Sequence, residues 1–141
     1  MQGLIKEDTM AQYAYPAILT PEDNWYIVTF PDFDDIYTDG TDIANAIFMA
    51  NDVLPLRLMD YEDDERPIPR PSKISDISHR DDQIVTLICA DTTEYRKKYD
   101  NKAVKKTLTI PNWLNTLAEK NNINFSNVLQ NALMDVLKVA K

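Results

Sequence analysis

The chain has 141 residues, 44% of them hydrophobic and 27% charged, a formal net charge of −8 and one cysteine. That length holds one core or two small domains. The single thiol excludes an intrachain disulfide framework, and no apolar run approaches the roughly 20 residues that span a bilayer. Charge is divided unevenly along the chain: 21 acidic against 9 basic residues run through Asp100, and 2 against 6 follow. An acidic front repels nucleic acid and attracts a basic protein, while a basic rear is the electrostatic footprint of DNA contact. With no signal-peptide layout at the start, the expected location is the cytoplasm.

Residues 2–9 carry no pattern and read as a disordered leader, with Met10 as an alternative start. Residues 13–19, YAYPAIL, predict a strand in which Pro16 favours a sheet edge or a strand end. Pro21 to Asn24 reads as a turn, and residues 25–30, WYIVTF, as the partner strand of a hairpin. A short third strand over residues 36–38 follows. Asp39-Gly40 then turns the chain and Thr41 caps a helix that buries Ile43, Ala46, Ile47, Ala50, Val53 and Leu54. Pro55 falls inside that pattern and predicts a kink or restart. Residues 61–78, first acidic and then proline-punctuated, read as loop or linker. The apolar run 83–90 predicts a strand in the middle of the sheet, with Cys89 a small buried hydrophobe rather than a nucleophile. Residues 92–98 predict a short helix. The order β-β-β-α-β makes a small α+β layer over residues 10–100.

Residues 101–141 follow a different pattern. In residues 104–110, VKKTLTI, the side chains of Lys105, Thr107 and Thr109 share one face of a strand, and Val104, Lys106, Leu108 and Ile110 share the other. Pro111 ends the strand and opens a helix carrying Trp113, Leu114, Leu117 and Ala118. Residues 121–124 break that helix. Asn124 caps another, whose stripe is Val128, Leu129, Ala132, Leu133, Val136 and Leu137. One strand and two short helices cannot bury this much apolar surface, so the economical arrangement is a homodimer with paired strands and four helices. The open ribbon face then carries Lys105, Thr107 and Thr109 twice, and a two-stranded ribbon fits the DNA major groove. Lys106 in the same segment, and Asn124 and Ser126 at the last helix's start, are the further DNA-contact candidates; a helix N-terminus can hold a phosphate. A dimerisation hairpin with an ordinary polar face is the alternative reading.

The order strand, Pro, helix, turn, helix, with TLTIPNWL and INFSNVLQNAL, resembles the ribbon-helix-helix DNA-binding domain. Together with YPAILTPEDNWYIVTFPDF, TDIANAI and YRKKYDNKAVKKTLTIPNWLNTLAEKNNINFSNVLQNAL, the chain is similar to the HicB-like antitoxins of bacterial toxin–antitoxin pairs. The resemblance implies a truncated ribonuclease-H-like front layer that silences a small basic toxin, an RNA-cleaving HicA. It also implies a rear domain that represses the shared operon by binding operator DNA. It departs from the family after the second strand: a PDxPG-like turn is usual there, and this chain has Pro31-Asp32-Phe33-Asp34-Asp35. The rival readings are a repressor that senses a small ligand and a metal-dependent nuclease.

Catalytic chemistry finds little support. Asp32, Asp34, Asp35, Asp39 and Asp42 invite a two-metal reading, but they crowd one turn region and read better as a solvated acidic rim. An EF-hand fails, because with Asp35 at loop position 1, position 3 is Tyr37 and position 12 is Ala46. His79 lies in a polar loop with no nucleophile or carboxylate placed beside it. Gly3 and Gly40 form no phosphate-binding loop. The expectation is a non-catalytic protein with no metal and no cofactor; whether its dimers pair into tetramers is left open.

Overall fold

A computed structural model describes residues 12–139; the leader read at residues 2–9 lies outside them. The chain divides into two compact units with the boundary between Asn101 and Lys102. The first contains strands β1 (Gln12–Glu22), β2 (Trp25–Thr29) and β3 (Tyr37–Gly40), helix α1 (Ile43–Asp63), strand β4 (Ile84–Asp91) and helix α2 (Thr92–Tyr99). The β-β-β-α-β order of the sequence reading is therefore present. All strand pairs are antiparallel, in the spatial order β3-β2-β1-β4.

β1 and β2 meet through a two-residue turn, since Glu22 lies opposite Trp25. Asp23 takes a left-handed backbone, φ 46°, which Asp tolerates better than most residues. Tyr15, Ala17 and Leu19 of β1, Val28 of β2 and Ile88 of β4 form one core with Ala46, Ala50, Leu54 and Leu58 of α1. The helix residues recur every fourth position, one stripe along its inner face. Complete burial of Leu54 and Leu58 stabilises the layer by about 1.5–3 kcal/mol each. The helix start crosses β3 so closely that a Cβ on Gly40 would lie 2.3 Å from the Ala46 nitrogen. Only glycine leaves that space.

α2 is tied down by charge. Arg96 donates to Glu62 Oε1 at 3.0 Å and to Asp63 Oδ1 at 2.8 Å, and Tyr13 and Thr92 both donate to Glu62 Oε2 at 2.8 Å. The last turn of α1 thus joins β1 and α2.

Several expectations are corrected. Pro16 sits well inside β1, opposite Leu87; it is tolerated because pairing with β2 begins only at Ile18, so β1 has one strand neighbour at Pro16. Gly40 ends β3 instead of turning, and the cap of α1 is Asp42, not Thr41: Asp42 accepts from the Asn45 N–H at 2.7 Å, while Asn45 Oδ1 accepts from the Thr41 N–H at 3.0 Å. α1 continues through Pro55 to Asp63 without restarting. One lost backbone bond is outweighed by the buried side chains on both sides of it. Part of the predicted 61–78 loop is therefore helical, and a 3₁₀ turn occupies Ile74–Asp76. The remainder packs against the fold: Ile68 touches the core, and Tyr15 donates to the Pro69 carbonyl. β4 is an edge strand, not a central one. Cys89, on the face of β4 opposite the buried Ile88 and Ala90, is exposed.

The second unit contains helices α3 (Asn112–Lys120) and α4 (Phe125–Leu137). Pro111 precedes α3 at its N-cap, Asn122 turns the chain with φ 55°, and Lys138 ends α4 with φ 57°. Residues 101–111 form no strand within the single chain. A strand is completed by hydrogen bonds to a neighbour, and the predicted neighbour of 104–110 is a second copy. Neither helix buries a single residue.

Candidate functional site

The aspartates after β2 do structural work, which corrects the reading of all five as a solvated rim. Asp32 accepts from the Ser72 N–H at 3.0 Å and from the Ser72 hydroxyl. Asp35 accepts from the Tyr61 phenol at 2.7 Å and from Arg57 at 3.1 Å, with Arg66 3.6 Å away. Arg66 in turn lies over the Tyr61 ring, 3.8 Å from its centre. The Tyr61 hydrogen bond, helped by Arg57, holds the Asp35 carboxyl below its ordinary range. Asp42 caps α1. Only Asp34 and Asp39 remain exposed without such a bond. Among the described residues no group of three or more His, Cys, Asp or Glu side chains is arranged to hold a metal. Beside this cluster, burial and then the nearby Asp32 charge push the Tyr15 phenol up to about 12. His79 is exposed, its Nδ1 2.9 Å from the Arg80 carbonyl.

In the second unit the sequence-predicted contacts are all at the surface. Lys105, Lys106, Thr107 and Thr109 are exposed along the segment before α3, but so are Leu108 and Ile110, at 60% and 42%. The single chain therefore does not separate the two faces of the predicted strand. Asn124 spends its side-chain oxygen on the Asn127 N–H, 3.0 Å away. The N–H groups of Phe125 and Ser126, in the first turn of α4, have no intrahelical acceptor. Trp113, Leu117, Val128 and Leu133 are each half or more exposed. Surface of this kind is normal in a subunit and abnormal in a monomer.

The sequence profile of the HicB-like antitoxins of bacterial toxin–antitoxin systems matches residues 14–89, which contain α1 and all of the sheet but the start of β1 and the end of β4. The chain belongs to the HicB-like antitoxin family. That family is one of non-enzymatic regulators, which agrees with the absence of a catalytic motif in the sequence. Among solved structures, this HicB-like chain is similar to a chain of a toxin–antitoxin complex from Streptococcus pneumoniae, with 28% identity, a TM-score of 0.58, and coverage of 88% of this chain and 98% of that one. It shares its fold with the antitoxin HicB of Burkholderia pseudomallei, at 16% identity and a TM-score of 0.51, over 89% and 98% of the two chains. No curated protein gives a significant match to the sequence. No helix among the described residues is long and apolar enough to cross a membrane.

Two features of this HicB-like fold escaped the sequence reading. The Asp35 cluster joins residues 22 to 31 positions apart, a separation no local pattern reveals. The exposed outer face of the sheet was hidden because β4 reads as a buried strand. The signal present was the acidic end of each outer row, at Glu22, Asp39 and Asp91.

Proposed function

We propose that this protein is a cytoplasmic antitoxin that binds and neutralises a small basic HicA-type RNA-cleaving toxin. Its rear unit, a ribbon-helix-helix dimer over residues 101–141, represses its own operon. The front unit, residues 10–100, is read as a truncated ribonuclease-H-like layer, a reading supported by its β-β-β-α-β order. The observation that carries the two-part function is the contrast between the units. The front one has a complete core and an acidic surface; the rear one is basic and buries none of the apolar side chains of its two amphipathic helices. A second copy would cover them, and pairing of the two 104–110 segments would present Lys105, Thr107 and Thr109 to the major groove, with Lys106 and the α4 start at Asn124 and Ser126 against phosphates. The likeness to a chain from a toxin–antitoxin complex supports the toxin partner.

The test is co-expression with the product of the adjacent small reading frame. Co-purification of the two, relief of growth arrest, and retardation of promoter DNA by the antitoxin are expected. A chain that retards DNA but captures no neighbour product would favour a ligand-sensing repressor instead. Light scattering on the same sample counts the copies, dimer or tetramer.

A further inference from the structure

The front sheet has one face under α1; on the other, Pro16 is buried and Ala14, Ile18, Thr20 and Val85 are half-buried, while larger apolar side chains stand exposed around them. Directly paired residues share a face. Thr20 opposite Ile27, Glu22 opposite Trp25, Pro16 opposite Leu87, Ala14 opposite Cys89 and Thr29 opposite Tyr37 therefore all lie away from the helix. On that face Trp25 is 50% exposed, Ile27 39%, Leu87 51% and Tyr37 68%. An apolar sheet surface of this extent marks an interaction site.

Its charge selects the occupant. None of the four strands contains Lys or Arg, and their only ionised side chains are Glu22, Asp39 and Asp91. By the same pairing, Glu22 with Trp25, Asp39 with Ile27 and Asp91 with Gln12, all three residues lie on the outer face. There Asp91 also caps α2 by accepting from the Glu94 N–H at 3.0 Å, and Glu22 and Asp39 supply the rest of the acidic rim. A second copy docked there about a two-fold axis would set acidic faces against each other, and a nucleic acid would be repelled. A basic protein suits both features, since the apolar centre gains by burial while the acidic rim steers approach. The competing acidic stretch, Asp32 to Asp35, has two of its three carboxylates already engaged by Ser72, Tyr61 and Arg57.

We propose that the outer face of the sheet, centred on Ile27 and Leu87, is the docking surface for a small basic protein. This rests on the antitoxin reading and names the surface through which it acts. The probe is the adjacent-frame product, titrated into the full-length chain and its variants by calorimetry, with light scattering and circular dichroism on each. Leu87→Lys and Asp39→Lys are expected to weaken binding about tenfold or more, with copy number unchanged. Phe48→Lys, on α1 where Phe48 is 67% exposed, should leave affinity within about twofold. Asp39 is a surface position, so that variant remains informative if Leu87→Lys misfolds. Unchanged affinity in the sheet variants, an equal loss in Phe48→Lys, or a change of copy number in place of affinity overturns the assignment while leaving the antitoxin reading intact. No binding by the unmodified chain removes that reading, and this inference with it.

Discussion

The Tyr61 phenol donates to Asp35 Oδ1 across 2.7 Å, linking the last turns of α1 to the loop that leaves β2. Arg57 and Arg66 approach the other carboxylate oxygen at 3.1 and 3.6 Å. The side chain of Asp35 is 37% exposed, so solvent screens part of this attraction.

Tyr61→Phe removes the bond that does most to lower the Asp35 pKa, and is expected to cost about 1 kcal/mol near neutrality. A carboxyl whose pKa is lowered by folding contributes stability above its ordinary value of 3.8 and loses it as pH falls through the folded value. The difference between wild type and Tyr61→Phe in urea unfolding should therefore be full at pH 7 and shrink at about pH 2. A difference that persists in acid would mean that packing, rather than the carboxylate bond, is what Tyr61 supplies.

Tyr15 has the opposite sign. Its pKa rises from 10.0 to about 12 because the ring is buried beside Asp32. A group raised by folding contributes fully below its unfolded value and loses that contribution as pH climbs through the folded one. Melting temperature followed from pH 9 to 12 should fall less steeply in Tyr15→Phe than in wild type, although the variant starts lower for want of the Pro69 hydrogen bond.

Gly40→Ala tests the crossing of α1 over β3. The added methyl meets backbone atoms of Asn45 and Ala46, which have little freedom to yield. Destabilisation of about 1–3 kcal/mol is expected, read as a drop of roughly 4–8 °C per kcal/mol in a unit of this size. Ser at Gly40 should do no better, and an unchanged melting temperature would show that the helix start can shift.

The two faces of the 104–110 segment predict different losses. In the proposed dimer, Thr107→Ala or Thr109→Ala should reduce operator affinity by about 1 kcal/mol, the value of one hydroxyl hydrogen bond, with binding to random DNA little changed. Lys105→Ala should weaken binding to both. Leu108→Ala should instead destabilise the dimer by about 2–5 kcal/mol, seen as a concentration-dependent melt at lower temperature. If Leu108→Ala keeps its stability and abolishes operator binding, the ribbon lies the other way up.

Local pattern was enough to read the element order of the front unit, the hairpin at Asp23-Asn24, the stripe of α1, the caps at Pro111 and Asn124 and the change of charge near Asn101, because each depends on residues a few positions apart. The uncovered stripes of α3 and α4 were legible in the same way, as more apolar surface than the segment can bury. Local pattern misled wherever the outcome depended on a distant neighbour. Pro55 stays inside one helix because Leu54 and Leu58 are buried against a sheet that a proline rule does not see. The apolar run of β4 reads as a central strand buried on both faces, yet it lies at the sheet edge and only its inner face, with Ile88 and Ala90, meets the core, so Leu87 and Cys89 on the other face stay exposed. Asp32 and Asp35 look like free surface charge until the chain brings Ser72, Arg57 and Tyr61 to them. Periodicity records which side a residue faces, whereas tertiary packing alone decides what, if anything, lies against that side.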